Sequence, residues 1–207
     1  YLDDIIICSE TFQKHIDDLQ KLFAKMREMS LHMNRDKCRF ACNEVKYLGH
    51  LLTPEGVKVD DEKINALLLR REPKTIKELM SFLQACSWYR RFIPHFADVS
   101  KPLSQLTKKN VKWTWQSSQQ EYFDQLKMLM TSAPVLKQPD ETQLFLLKTD
   151  ASGYALGAAL VQGEGPDEHP IEYASRLLTS AEQNYSTIER EALAIVWAVK
   201  KFRGYID

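Results

Sequence analysis

The chain has 207 residues, 44% hydrophobic and 27% charged, with 28 basic and 28 acidic side chains that leave no formal net charge. This is the composition of a globular protein of one large or two small domains. It excludes a uniformly basic nucleic-acid-binding chain, so any such footprint must be local, and no apolar run approaches the roughly 20 residues of a membrane span.

Residues 1–8, Tyr-Leu-Asp-Asp-Ile-Ile-Ile-Cys, read as a turn entering a buried strand, because Ile5, Ile6 and Ile7 form a short β-branched run. Phe12, Ile16, Leu19, Phe23 and Met26 then recur at helical spacing and predict an amphipathic helix. After the polar break Asn34-Arg35-Asp36, strand-like segments are expected at Lys37–Ala41 and Val45–Leu52. Pro54-Glu55-Gly56 is turn chemistry. Asp60–Leu69 reads as a helix that ends before Pro73. Thr75 and Glu78 form a capping-box pattern opening a helix that turns Leu79, Phe82, Leu83 and Cys86 inward, with Arg90 and Arg91 near its end. Tyr122, Leu126 and Leu129 mark a further helix. From about residue 140 the pattern changes to three strands, Leu144–Leu147, Ala155–Gln162 and Ile171–Ser175. Thr179 and Glu182 suggest the cap of a last long helix, which carries Ile188, Ala192, Ile195 and Val199 on one face. Successive hairpin-length strands followed by a helix predict an antiparallel sheet covered by that helix, and an α+β class overall.

Three groups of residues could carry chemistry. Asp3 and Asp4 are adjacent carboxylates before an apolar strand; such a pair needs a cation, and magnesium prefers carboxylate oxygens. A bare Asp-Asp pair is also common in solvated turns. Asp150 stands near a strand end, a suitable place for a metal ligand. Its partner on the long helix is Glu191 or Glu189, roughly 200° apart around the helix, and spacing does not decide between them. Lys46, Tyr47, His50 and Lys58 flank a hairpin, and Trp88, Tyr89, Arg90 and Arg91 form an aromatic-basic cluster, side chains able to meet phosphates and stack on bases. Packing at a helix end explains Trp88 and Tyr89 equally well. The cysteines Cys8, Cys38, Cys42 and Cys86 lack paired knuckle spacing, which favours reduced thiols over a zinc site.

The order of short motifs is more specific than any one of them. Tyr1-Leu-Asp-Asp4 is followed by Lys37-Cys-Arg-Phe40, Tyr47-Leu-Gly-His50, Ser81-Phe-Leu83, Tyr89-Arg-Arg-Phe-Ile93, Phe96-Ala97, Lys101-Pro-Leu103 and Ala133-Pro-Val-Leu136. Thr149-Asp-Ala-Ser152 and Glu189-Arg-Glu-Ala-Leu-Ala194 complete the series. Over essentially its whole length the chain resembles the polymerase region of gypsy-type long-terminal-repeat retrotransposons. The resemblance implies the end of a reverse-transcriptase palm at 1–58, thumb and connecting helices at 59–139, and the first half of a ribonuclease H-like domain at 140–207. It implies an internal piece of a longer polyprotein.

The same resemblance implies roles. Asp3 ligates Mg2+, or Mn2+ in its place, with Asp4 as its less direct neighbour. Tyr47, Leu48, Gly49 and His50 belong to the hairpin that grips a primer, and Arg90 and Arg91 face nucleic acid. Asp150 and Glu191 are the first two ribonuclease H carboxylates, which decides against Glu189. RNA template, DNA primer, RNA/DNA hybrid and dNTPs are the implied partners of the parent, with no membrane, in a cytoplasmic particle or the nucleus. Leu69-Arg-Arg-Glu72 departs from the family's usual Trp-Pro pair, and Gln84 from its usual Gly. Each active site is only half present, so the chain alone is expected to be inactive. The rival expectation is a non-enzymatic nucleic-acid-binding remnant.

Overall fold

The computed structural model describes residues 5–206, and Asp3 and Asp4 lie outside them. By its internal contacts the chain divides after Cys42 into two units.

In the first unit, the Thr11 hydroxyl accepts from the Lys14 amide at 3.2 Å and caps α1 (Phe12–Glu28). The helix forms as its apolar spacing predicts, yet none of its residues is fully buried. The strands expected at Ile5–Ile7 and Lys37–Ala41 do not form. No described segment pairs with either, and a strand without a ladder partner leaves its backbone groups unsatisfied. A 3-10 turn at Arg35–Lys37 overlaps the second, set by the Asn34 side chain accepting from the Asp36 amide at 3.0 Å. That local bond offers the backbone an alternative to a sheet.

The second unit opens with a three-stranded antiparallel sheet, β1 (Val45–Tyr47), β2 (His50–Thr53) and β3 (Gly56–Val59). Val45–Leu52 is not the single strand its composition suggests but, as the resemblance implies, a hairpin with Tyr47 opposite His50. Leu48 (φ 49°) and Gly49 (φ 79°) are both left-handed at its tip, the backbone of a two-residue turn that matches strand twist. Asp60 caps α2 (Asp61–Leu68) by accepting from the Glu62 amide at 3.1 Å. The Lys127 ammonium closes its other end, donating to the Leu68 carbonyl at 3.0 Å and to that of Arg70.

The next helix, α3 (Ile76–Trp88), starts at Thr75 as expected, but the Glu78 carboxylate accepts from the Lys74 amide, one residue earlier than a standard capping box. A 3-10 turn at Arg90–Phe92 leads into α4 (Phe96–Gln105), a helix the motif reading passes over. Pro102 lies inside it; a proline costs an interior hydrogen bond, and burial of Phe96, Val99 and Leu103 offsets it. The last helix of this half, α5 (Ser117–Thr131), buries Phe123, Leu126 and Met130. Phe123 packs on Phe82 with ring centroids 4.3 Å apart at the centre of the helical core.

Three strands follow, β4 (Leu146–Ala151), β5 (Ala155–Gln162) and β6 (His169–Leu177), antiparallel in that order. β5 has its predicted bounds. β4 is shifted toward the C-terminus relative to the expected Leu144–Leu147, so Asp150 is its penultimate residue. Helices cover both faces of the sheet. On one face Ala158, Ala174 and Leu160 pack on Ala198 and Phe202 of α6 (Thr187–Lys201) and its C-cap. On the other, the Ala97 amide of α4 donates to the Ser175 hydroxyl at 2.9 Å. A short α7 (Arg203–Ile206) ends the described chain.

Two expectations for α6 are corrected. Thr179 and Glu182 do cap each other, but over a 3-10 turn at Glu182–Asn184. The helix itself is capped by Ser186 and Glu189, whose carboxylate accepts from the Ser186 amide at 2.7 Å. The face carrying Ile188, Ala192, Ile195 and Val199 is turned outward. Ala194 and Ala198 are the fully buried positions, because alanine lets helix and sheet backbones approach more closely than β-branched residues do. No helix among the described residues is long and apolar enough to cross a membrane.

Candidate functional site

The β1–β2 hairpin rests on the end of α3. The Tyr89 hydroxyl donates to the Gly49 carbonyl at 3.0 Å, and a Cβ at Gly49 would approach that hydroxyl to 3.0 Å. Glycine is therefore needed twice, for its positive φ and for the close approach. His50 is half-buried among the rings of Tyr89 and Phe92, each 5.5 Å away between centroids, and its Nδ1 lies 3.1 Å from the Leu48 carbonyl. Burial pushes the His50 imidazole below its ordinary value, and the Arg91 charge adds to this. Trp88 stands beside His50 with its side chain 56% exposed, so it is the open aromatic of the cluster, whereas Tyr89 is a packing residue.

The basic members of the cluster are engaged within the fold. Lys46 pairs with Asp60 at 3.3 Å and Glu62 at 2.7 Å. Arg90 donates to the Ser175 carbonyl and lies over the Phe96 ring, and burial lowers its pKa. Arg91 approaches the buried Glu172 at 3.7 Å. Glu172 also accepts from Lys201 and from the Tyr205 hydroxyl, both at 3.0 Å. Arg90 and Arg91 thus fasten the helical segment to β6.

Asp150 pairs in register with Gly157 of β5, which pairs with Ser175 of β6. This row looks toward α4. The Asp150 side chain is 67% exposed, and the His95 ring approaches it, with Nδ1 4.0 Å from Oδ2. Leu147 and Ala151, on alternate positions of the same strand, pack toward α6. Glu191 sits three residues before the buried Ala194, on the sheet-facing side of α6. Asp150 and Glu191 therefore lie on opposite faces of the sheet, and β4, which separates them, is an edge strand among the described residues. The rival Glu189 is held by the Ser186 amide and hydroxyl, which also lower its pKa. The Arg190 guanidinium donates to the Ser152 carbonyl at 3.3 Å and ties the start of α6 to the end of β4.

Among the described residues no three His, Cys, Asp or Glu side chains cluster closely enough to enclose a metal. An open carboxylate at a strand end still suits magnesium, which is often held by one or two carboxylates with water and substrate phosphate completing the shell. His95 is the neighbour that the sequence reading overlooked. It lies 55 positions before Asp150, between the Tyr89–Ile93 and Phe96–Ala97 motifs, and no local signal connects them.

A three-stranded sheet with helices on both faces and an open carboxylate on its first strand, preceded by an aromatic-backed hairpin, is the arrangement of a reverse transcriptase joined to a ribonuclease H-like domain. Residues 1–52 match the family described as reverse transcriptase (RNA-dependent DNA polymerase), and residues 115–207 match the RNase H-like domain found in reverse transcriptase. The chain belongs to this reverse transcriptase and RNase H-like region of long-terminal-repeat retrotransposon Pol polyproteins. It is 43% identical over 207 residues to the retrovirus-related Pol polyprotein from transposon 297 of Drosophila melanogaster, covering 100% of this chain and 19% of that protein. It is 35% identical over 208 residues to the transposon Tf2-3 polyprotein of Schizosaccharomyces pombe, covering 100% of this chain and 16% of that protein. The chain thus spans about a fifth of the length of these relatives. Among solved structures it superposes on foamy viral protease-reverse transcriptase in complex with RNA/DNA hybrid. There the TM-score is 0.83 at 26% identity, over 95% of this chain and 27% of that one.

Proposed function

We propose that this chain is a working segment of an RNA-directed DNA polymerase with ribonuclease H activity, acting on RNA/DNA hybrid through divalent metal ions. Asp3 and Asp4 hold Mg2+ at the polymerase centre. The Leu48–Gly49 tip, backed by His50, Trp88 and Tyr89, bears on the DNA primer as dNTPs are added against an RNA template. Asp150, with Glu191 as the partner the resemblance implies, would hold the metal of the nuclease centre. A bound divalent ion supplies charge stabilisation at the scissile phosphate and a more acidic water. The residues of this chain place the carboxylates and keep the hybrid in register. The compartment we propose for the parent polyprotein is a cytoplasmic particle or the nucleus.

The observation that carries this reading is the open, strand-end Asp150 carboxylate within the stretch matched to the RNase H-like family. A two-metal centre needs several convergent carboxylates, and two acidic residues fall short of that, so the chain alone is expected to be catalytically silent. The test uses a labelled RNA/DNA hybrid with Mg2+ or Mn2+. The expected result is intact RNA with the 207-residue chain, cleavage with the polyprotein that carries it, and none when that polyprotein bears Asp150→Asn. Cleavage by the chain alone, or by the Asp150→Asn polyprotein, overturns the proposal. Hybrid binding by the chain that falls steeply with salt, joined to a polyprotein that cuts nothing, would instead favour a non-enzymatic binding module.

A further inference from the structure

Three unusual features converge on His95. Its backbone is left-handed, at φ 52° and ψ 29°, a conformation a non-glycine residue adopts at a cost. It occupies the N-cap of α4, where a serine or aspartate would normally accept a backbone hydrogen bond, yet its side chain makes no capping bond. Its ring lies over Gly157, where a Cβ would fall 2.9 Å from Nδ1 and 3.1 Å from Cε1, so only glycine leaves room for it. Gly157 is the register partner of Asp150, and the ring placed there has Nδ1 4.0 Å from the Asp150 carboxylate. The backbone strain, the unused cap and the missing Cβ have one common result, an imidazole held beside that carboxylate.

The helix that carries His95 is anchored around the same spot. The Ala97 amide donates to the Ser175 hydroxyl at 2.9 Å, and the Ser152 hydroxyl donates to Asp98 at 3.0 Å. His95 is therefore set by α4, not by the nuclease-like sheet, and its side chain remains 51% exposed.

We propose that His95 is a positioning residue for Asp150, lent to the nuclease centre by the helical segment that precedes it. The proposal rests on Asp150 being a metal ligand. At 4.0 Å the ring is one small side-chain adjustment from donating a hydrogen bond to Asp150 Oδ2. Such outer partners orient ligating carboxylates, and removing them typically weakens metal binding by roughly 10- to 100-fold.

The test follows Mn2+ binding to the whole chain by paramagnetic broadening of backbone amide signals. In the parent, broadening is expected to centre on Asp150. His95→Ala is expected to raise the Mn2+ midpoint by roughly ten-fold or more. His95→Asn is expected to recover most of it, since asparagine tolerates the left-handed backbone and keeps an N–H donor. His95→Gly is expected to melt no lower than the parent, because it relieves the positive φ, while binding Mn2+ as weakly as His95→Ala. That split separates positioning from mere packing. An unchanged midpoint in His95→Ala and His95→Gly, with binding abolished by Asp150→Asn, overturns the proposal and leaves the nuclease reading standing. Binding that survives Asp150→Asn overturns the nuclease reading itself.

Discussion

Glu172 is a buried carboxylate where three parts of the second unit meet, with its side chain 11% exposed. Glu172→Ala removes an acceptor from the Lys201 ammonium and from the Tyr205 hydroxyl, both at 3.0 Å, and a neighbouring charge from Arg91 at 3.7 Å. Hydrogen bonds to a charged group contribute roughly 1.5–3 kcal/mol each when shielded from water. Lys201 is 45% exposed and Arg91 39%, so the lysine contact is scaled toward 1 kcal/mol or less and the arginine contact below it. The summed loss is about 2–3 kcal/mol, which for a domain of this size lowers the melting midpoint by roughly 4–12 °C. Glu172→Gln keeps the shape and one acceptor and is expected to lose about half as much. Urea unfolding followed by tryptophan fluorescence reads these differences. A second reading comes from Tyr205, whose phenol is pushed up by burial and then by the Glu172 charge; ultraviolet titration should show it fall in Glu172→Ala. A Glu172→Ala chain within about 0.5 kcal/mol of the parent, the range of an ordinary surface change, would refute the reasoning.

Gly56→Ala is expected to cost about 3–5 kcal/mol in the same assay. The position has φ 139°, its Cβ would fall 2.3 Å from the Leu136 carbonyl oxygen, and the clash also breaks the paired Val57–Leu136 hydrogen bonds. Because His50 has a folded pKa below the ordinary 6.5, the unfolded chain takes up its proton at a higher pH than the fold does. Stability is therefore full above that value and declines as pH falls through it toward the folded value; the decline should be absent in His50→Gln. In the folded chain a thiol reagent should label Cys8, Cys38 and Cys42 and spare Cys86, whose thiol burial pushes up to about 12. Labelling of Cys86 in urea alone would confirm that burial protects it.

How much of this was legible from residues depended on whether the signal was local. The α1 stripe, the Thr75 cap and the limits of β5 follow from spacing and side-chain chemistry within a few positions. The outward turn of Ile188, Ile195 and Val199 does not. Both faces of α6 carry apolar residues, and only the sheet selects the one with Ala194 and Ala198. Likewise Val45–Leu52 has a strand's composition throughout, so only the motif resemblance marks the turn at Leu48 and Gly49, which Tyr89 supports from forty positions away. At the candidate site, Glu189 and Glu191 are equivalent by composition. Ser186 occupies the first in a cap, which leaves the second on the sheet side. His95 was out of reach because its relation to Asp150 exists only once α4 lies on the sheet.

That placement of α4 bears on how such polyproteins can exchange parts. The floor under β5 and β6 is upholstered by residues 90–105, which lie ahead of the stretch matched to the RNase H-like domain. A crossover joining two related elements near residue 140 would give the RNase H-like sheet a foreign covering, with Tyr173 and Ser175 facing a mismatched helix. Viable chimaeras should instead break upstream of Arg90, so the hereditary unit of the RNase H-like domain is longer than its alignment suggests.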